Sequence, residues 1–242
     1  MSASDQLSFT DYVQHMLERY RGERITRFDY AGEIFWLKQP EKLTGVWRIL
    51  KPQPKAAFAR ELRTLSELNR KNAPVPQLML FGEDFFVLKD GGVSIGSRLS
   101  DETLDATQKM QFVEDAAKAL ANLHQQGLIH GRPALRDMLW DNGKVLFIDF
   151  ESRESKADLL SRKVRDSLIF IHSLGRTGEL SDDEMKNCIE KYRTYCEKDV
   201  WQKTLATLRR YHWLYRFLLL FKSVAKRDLV AVYRMFENVP FD

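Results

Sequence analysis

The chain has little that would cross-link it or anchor it in a membrane. Two cysteines in 242 residues cannot build the disulfide framework of a small secreted domain. They stand eight apart, Cys188 and Cys196, in a helical pattern with Met185, Ile189, Tyr192 and Tyr195. Both therefore fall on one apolar face, where a free thiol behaves as a small hydrophobe. A metal or redox role would need more ligands at closer spacing, so the expected compartment is reducing and cytoplasmic. No run reaches the roughly 18 apolar residues that span a bilayer, and no transmembrane helix is expected. The opening MSASDQLSFTDYVQHM lacks both a charged region leading into an apolar run and a small-residue cleavage site, so no secretory signal is expected. Internal repeats and low-complexity segments are also missing. Charge of one sign is scarce in excess: 38 Lys and Arg against 34 Asp and Glu leave +4. That balance mildly favours anionic partners such as nucleotides, phosphates or acidic lipids. With no recognisable nucleic-acid motif, nucleic acid is not an expected partner.

What is present is an ordinary globular composition, 44% hydrophobic, long enough for one large domain or two lobes. Ser8-Phe9-Thr10-Asp11 resembles a capping box ahead of Val13, Met16, Leu17 and Tyr20 at helical spacing. Residues 25–30 and 33–38 are aromatic and β-branched runs around Ala31-Gly32, a hairpin signal, and the second run ends in Lys38. Residues 39–55 carry three prolines and several lysines around one short expected strand, Val46 to Leu50. Phe58, Leu62, Leu65 and Leu68 then mark a helix bearing Glu61 and Glu67. Asn72-Ala73-Pro74-Val75-Pro76 breaks it, two short strands follow at 78–81 and 85–88, and Lys89-Asp90-Gly91-Gly92 is the clearest hinge signal. Beyond the hinge the pattern is helical. Asp105 to Gln108 caps a helix stopped by Gly127, another helix begins near Leu159, Ser181 to Glu184 caps the cysteine helix, and residues 201–236 are mostly helical. The expected division is an N-terminal helical segment, 1–24, a small mixed lobe, 25–89, and a larger helical lobe, 90–242.

The chemistry concentrates in HQQGLIHGRPALRDMLWDNGKVLFIDFE, residues 124–151. It reads as a helix end, a loop with His130, Arg132, Arg136 and Asp137, a turn at Asp141 to Lys144, and a buried strand ending in Asp149. Hard cations such as magnesium take oxygen ligands, usually one or two carboxylates plus substrate phosphates. Asp137 and Asp149 could supply such a pair. An Asp ending a buried strand at a turn is also common without any function.

The order of Trp36-Leu37-Lys38, Ala59-Arg60-Glu61, Pro74-Val75-Pro76, the His130 to Asp137 loop and Phe147-Ile148-Asp149-Phe150-Glu151 resembles the lipopolysaccharide and Kdo (3-deoxy-octulosonate) kinase branch of the protein-kinase-like superfamily, with RIO-type atypical kinases more distant. The likeness covers roughly residues 25–174. It implies an α+β, bilobal protein-kinase-like fold and an ATP- and Mg²⁺-dependent phosphotransferase. The acceptor would be a hydroxyl of an envelope glycolipid sugar or of a protein. Lys38 would hold nucleotide phosphates and Glu61 would position Lys38, with Glu67 as the competitor for that helix position. Asp137 and Asp149 would bind metal, and Asp166 would anchor the loop as a buried helix residue.

Two departures from that pattern matter. Only Ala31-Gly32 stands where a glycine-rich phosphate loop would lie, leaving fewer N–H groups to cradle phosphates. In the His-x-Asp-x-x-x-x-Asn pattern, Arg132 takes the place of the catalytic Asp and Asp137 that of the metal-binding Asn, while Glu151 replaces the glycine after Asp149-Phe150. Asp149 follows Asp137 by 12 residues, which favours this register over one pairing Arg136 with Asp137 as the catalytic Arg-Asp. Arg132 could stabilise a moving phosphoryl group, being planar, always charged and suited to phosphate. Equally, it could neutralise Asp137 or Asp149 and make the chain a pseudokinase, a nucleotide-binding regulatory or scaffold module.

The stretch from Trp213 to Phe221, with Lys222, Lys226 and Arg227 after it, is aromatic, apolar and basic. It reads first as a core helix closing the larger lobe. The sharper alternative is peripheral contact with an anionic inner-membrane surface.

Overall fold

The computed structural model describes residues 7–40, 54–150 and 157–241. The strand expected at Val46 to Leu50, and Glu151, lie outside them. The fold is mixed α+β with small antiparallel sheets, and the chain divides between Gly91 and Gly92 into two compact units.

In the first unit, helix α1 (Phe9–Arg19) is capped by Ser8, whose hydroxyl accepts the Asp11 N–H. Strands β1 (Ile25–Tyr30) and β2 (Glu33–Lys38) form an antiparallel hairpin. Its turn places Ala31 and Gly32 at φ +54° and +80°, the two left-handed residues of the hairpin turn that matches strand twist. Helix α2 (Pro54–Arg70), β3 (Leu78–Phe81) and β4 (Phe86–Lys89) complete the unit, and the sheet order is β1-β2-β4-β3. Period-two alternation does the positioning. Phe35 and Leu37 of β2 and Val87 of β4 pack with Val13 and Met16 of α1. Helix α1 is thus built into this unit's core rather than standing apart as an N-terminal segment. Alternation turns Lys38 and Phe86 to the opposite face, where Phe58 and Leu65 of α2 pack against Phe86.

The second unit opens with β5 (Val93–Ser94) and the short helix α3 (Ile95–Leu99). Helix α4 (Ala106–Gln125) starts at a full capping box between Asp105 and Gln108 and buries Phe112, Val113, Ala116, Ala117, Leu120 and Leu123. A single 3₁₀ turn, Leu135–Asp137, leads into β6 (Met138–Asp141) and β7 (Lys144–Phe147), joined by Asn142 and Gly143 at positive φ. Helices α5 (Leu159–Arg176), α6 (Asp182–Tyr195), α7 (Lys198–Leu218) and α8 (Arg227–Asn238) make the bulk. A 3₁₀ segment, Leu219–Val224, follows α7. Of the three-stranded sheet β5-β6-β7, only the last strand is expected from the sequence, and it ends at Phe147 rather than at Asp149. Trp140 ties the sheet to α4, its indole N–H donating to Asp115 at 2.8 Å and its ring meeting Phe112 edge-on.

Cys188 and Cys196 are both buried and free, and burial pushes their thiols up to about 12 and about 11, so neither supplies a thiolate near neutral pH. Helix α7 corrects the expectation of a core helix. Val200, Trp201, Leu205 and Leu208 are buried, but Trp213, Phe217 and Leu220 are 66%, 53% and 74% exposed. Among the described residues no helix is long and apolar enough to cross a membrane.

Candidate functional site

Each unit carries part of the constellation. In the first, Lys38 closes β2 on the face covered by α2, and its ammonium pairs with the Glu61 carboxylate. The Phe86 ring lies 5.7 Å beneath the ammonium. Lys38 is 19% and Glu61 34% exposed, so the pair is half-buried and its net stabilisation falls near the modest surface value of about 1 kcal/mol or less. Glu67 lies exposed on the same helix, which decides the partner of Lys38 in favour of Glu61.

In the second unit the loop from His130 to Asp137 is held by one buried side chain. Asp166, on α5 and without solvent exposure, accepts the backbone N–H groups of His130 at 2.9 Å and Gly131 at 3.0 Å, and lies 3.3 Å from His124 Nε2. The loop then supports itself. Arg132 N–H donates to His130 Nδ1 at 3.2 Å, so the ring proton sits on Nε2, which reaches the Ile148 carbonyl at 2.9 Å. Burial lowers the His130 pKa, against an opposing pull from Asp166. A neutral ring with one accepting and one donating nitrogen thereby links the loop to the segment carrying Asp149. Phe150 stacks on the same ring at 4.6 Å.

Asp137 ends the 3₁₀ turn, and its carbonyl accepts the Ile148 N–H at 3.0 Å. Its side chain is 9% exposed. Oδ2 is buried and receives no hydrogen bond; the nearest cations are Arg132 Nη2 at 3.8 Å and Arg136 Nε, 3.7 Å from Oδ1. Burial raises the Asp137 pKa, with both arginines pulling it back and Asp149 adding to the rise. A buried carboxylate oxygen with no donor is costly and is the chemistry a hard cation satisfies. Asp149 sits at φ +63°, in the left-handed region that costs an L residue about 1–2 kcal/mol and that collects at functional sites. Its carboxylate is 61% exposed and accepts from Arg132 Nη2 at 3.0 Å. Arg132 thus stands between both acids. The donor set fits a cation that draws its remaining ligands from phosphate or water, since two carboxylates alone do not make a cage. Among the described residues there is no cluster of three or more His, Cys, Asp or Glu ligands.

Beside this loop lies an open groove of about 460 Å³ lined by Arg132, Arg136, Arg176, Arg227, His172 and Asp228, among others. Its lining is rich in guanidinium groups, which attract anions, although Arg132 and Arg136 also face the carboxylates of Asp149 and Asp137. Arg176 pairs with Asp228, and His172 Nε2 lies 3.1 Å from the Asp228 carbonyl. Sequence reasoning brought Lys38 to Glu61 and gathered Asp137, Asp149, Arg132 and Asp166. It missed the groove, because Arg176, Arg227 and His172 come from two helices distant in sequence and follow no local motif. The one available signal was basic residues at a helix end.

No family model matches the chain. It is 44% identical over 229 residues, 95% of each chain, to a protein of Haemophilus influenzae described as an "Uncharacterized protein", and it belongs to that protein's family. More distant similarity reaches a "Probable bifunctional tRNA threonylcarbamoyladenosine biosynthesis protein" of Methanothermobacter thermautotrophicus, 26% identical over 181 residues, 72% of this chain and 33% of that protein. A "Pyridoxal 5'-phosphate synthase subunit PdxT" of Thermococcus gammatolerans is 30% identical over 105 residues, 43% of this chain and 48% of that one.

Proposed function

We propose that the chain is an ATP- and Mg²⁺-dependent phosphotransferase of the bilobal, protein-kinase-like fold, in the lipopolysaccharide and Kdo kinase branch. Its acceptor would be a hydroxyl on an envelope glycolipid sugar or on a protein. The observation that carries this reading is the donor-free, buried Oδ2 of Asp137 on a loop that also presents Arg132 to Asp149. Bound magnesium would supply charge neutralisation for the phosphates, held by Asp137 and Asp149. Lys38, fixed by Glu61, would bind nucleotide phosphate oxygens. Phosphoryl transfer depends chiefly on positioning and charge stabilisation, and a general base contributes about 10²–10⁴-fold, so Arg132 in place of an acid lowers the rate without forbidding the reaction. The groove's arginines favour an acceptor that carries an anionic group near the reacting hydroxyl.

One contact favours a second reading. Arg132 lies 3.0 Å from Asp149, and a guanidinium that holds this carboxylate competes with a cation for it, as in a nucleotide-binding module without turnover. Single-turnover transfer from labelled ATP separates the two. The phosphotransferase reading expects label transfer to an acceptor in an envelope-lipid or protein extract, lost in Asp149→Ala and reduced at least tenfold in Arg132→Ala. A pseudokinase retains ATP binding, transfers nothing, and gains transfer in Arg132→Asp.

A further inference from the structure

The end of α7 carries an exposed surface that is both apolar and basic. From Val200 to Arg227 the chain has no Asp or Glu and seven Lys or Arg. Within it Trp213, Phe217, Leu220, Phe221 and Val224 recur at helical spacing and are 44–74% exposed. The other side of the element is the packed one. Tyr215 stacks on Phe236 of α8 at 4.9 Å, and the Tyr233 hydroxyl donates to the Leu218 carbonyl. Packing therefore fixes the rotation of the helix and turns its large apolar side chains outward, where a soluble surface normally carries them singly. Phe217 and Phe221 contact each other edge-on at 5.7 Å, which makes a continuous ridge. Arg209, Arg210 and Arg216 are exposed on the same helix, and Lys222 pairs with Glu237 behind the ridge.

We propose that this ridge is a docking face for an anionic bilayer surface, with the aromatic and aliphatic side chains entering the headgroup and acyl boundary and the flanking arginines meeting lipid phosphates. The charge pattern selects the occupant. An acid-free, basic apolar helix complements a continuous negative surface, and tryptophan is favoured at the boundary between polar and apolar regions. A second copy on the same face would set Arg210 and Arg216 against their own equivalents across a two-fold axis. Each basic residue at an anionic leaflet contributes about fivefold in affinity.

The test is co-sedimentation of the full chain with vesicles of phosphatidylcholine alone or with phosphatidylglycerol, at low and high salt, for the parent, Trp213→Ser/Phe217→Ser and Arg210→Gln/Arg216→Gln. Both variants change exposed side chains, and unchanged circular dichroism and melting confirm folding. The docking face requires binding to the anionic vesicles only, weakened by salt, reduced at least tenfold in each double variant. The proposal is overturned if the parent does not sediment with anionic vesicles at low salt, or if Trp213→Ser/Phe217→Ser binds as the parent does. A parent dimer that the serine variant converts to monomer, with no vesicle binding, would assign the ridge to a second copy instead.

Discussion

At the scale of single residues the site turns on three buried polar side chains, Asp166, His130 and Asp137. Asp166 is fully buried and serves two backbone donors of the loop. Replacing it with Ala leaves those N–H groups without an acceptor, at about 1–3 kcal/mol each, and the expected loss in urea unfolding is about 3 kcal/mol or more. His130 sets a pH dependence. Because burial lowers its pKa, the unfolded chain takes up a proton near pH 6.5 while the folded chain stays neutral to lower pH, so this group's contribution to stability falls as pH drops below about 6.5. His130→Asn should therefore cost more at pH 7 than at pH 5 in parallel urea titrations. Asp137 acts oppositely. Its pKa is raised above 3.8, so stability falls as pH rises through the folded value, and Asp137→Asn should remove that downward slope while abolishing any metal effect on melting. The sequence made Asp137, Asp149 and Arg132 legible, because their spacing survives in one dimension. It could not show that Oδ2 of Asp137 lacks a donor, or that Arg132 reaches both acids, since both depend on how the 3₁₀ turn aims the side chains.

At the scale of elements, legibility follows capping and periodicity. The Asp105 and Ser181 capping boxes and the Ala31-Gly32 hairpin turn are local chemistry, and each appears where the sequence places it. Strands β5 and β6 were not visible, being two and four residues long and held by the docking of Trp140 of β6 against Asp115 and Phe112 of α4 rather than by any alternating run. Helix α7 shows the other failure. An apolar stretch reads as core from composition alone, whereas its buried half ends at Leu208 and its aromatic half faces solvent. Helix packing also has a sharp steric test. A Cβ on Gly175 of α5 would stand 3.1 Å from the Ala231 carbonyl oxygen of α8. Gly175→Ala should change stability by less than about 1 kcal/mol, because the gain in helix propensity offsets the contact. Gly175→Val should destabilise by about 1–3 kcal/mol through overpacking against backbone, measured by the same unfolding assay.

At the scale of the whole molecule, the chain divides at Gly91 and Gly92 into two compact units. Lys38 and Glu61 belong to the first unit, and Asp137, Asp149 and Arg132 to the second. If Lys38 and Asp149 both bind nucleotide, substituting either one removes binding, an outcome that a purely structural role for either residue does not produce. The most direct measurement is thermal melting of the parent, Lys38→Ala and Asp149→Ala with and without Mg²⁺-ATP. At 100 times its Kd the ligand stabilises by about 2.7 kcal/mol, an upward shift of about 5–10 °C for a chain of this size. The expected result is that shift in the parent, dependent on magnesium and lost in both variants. No shift in the parent, or a shift that survives both substitutions, would contradict the nucleotide site.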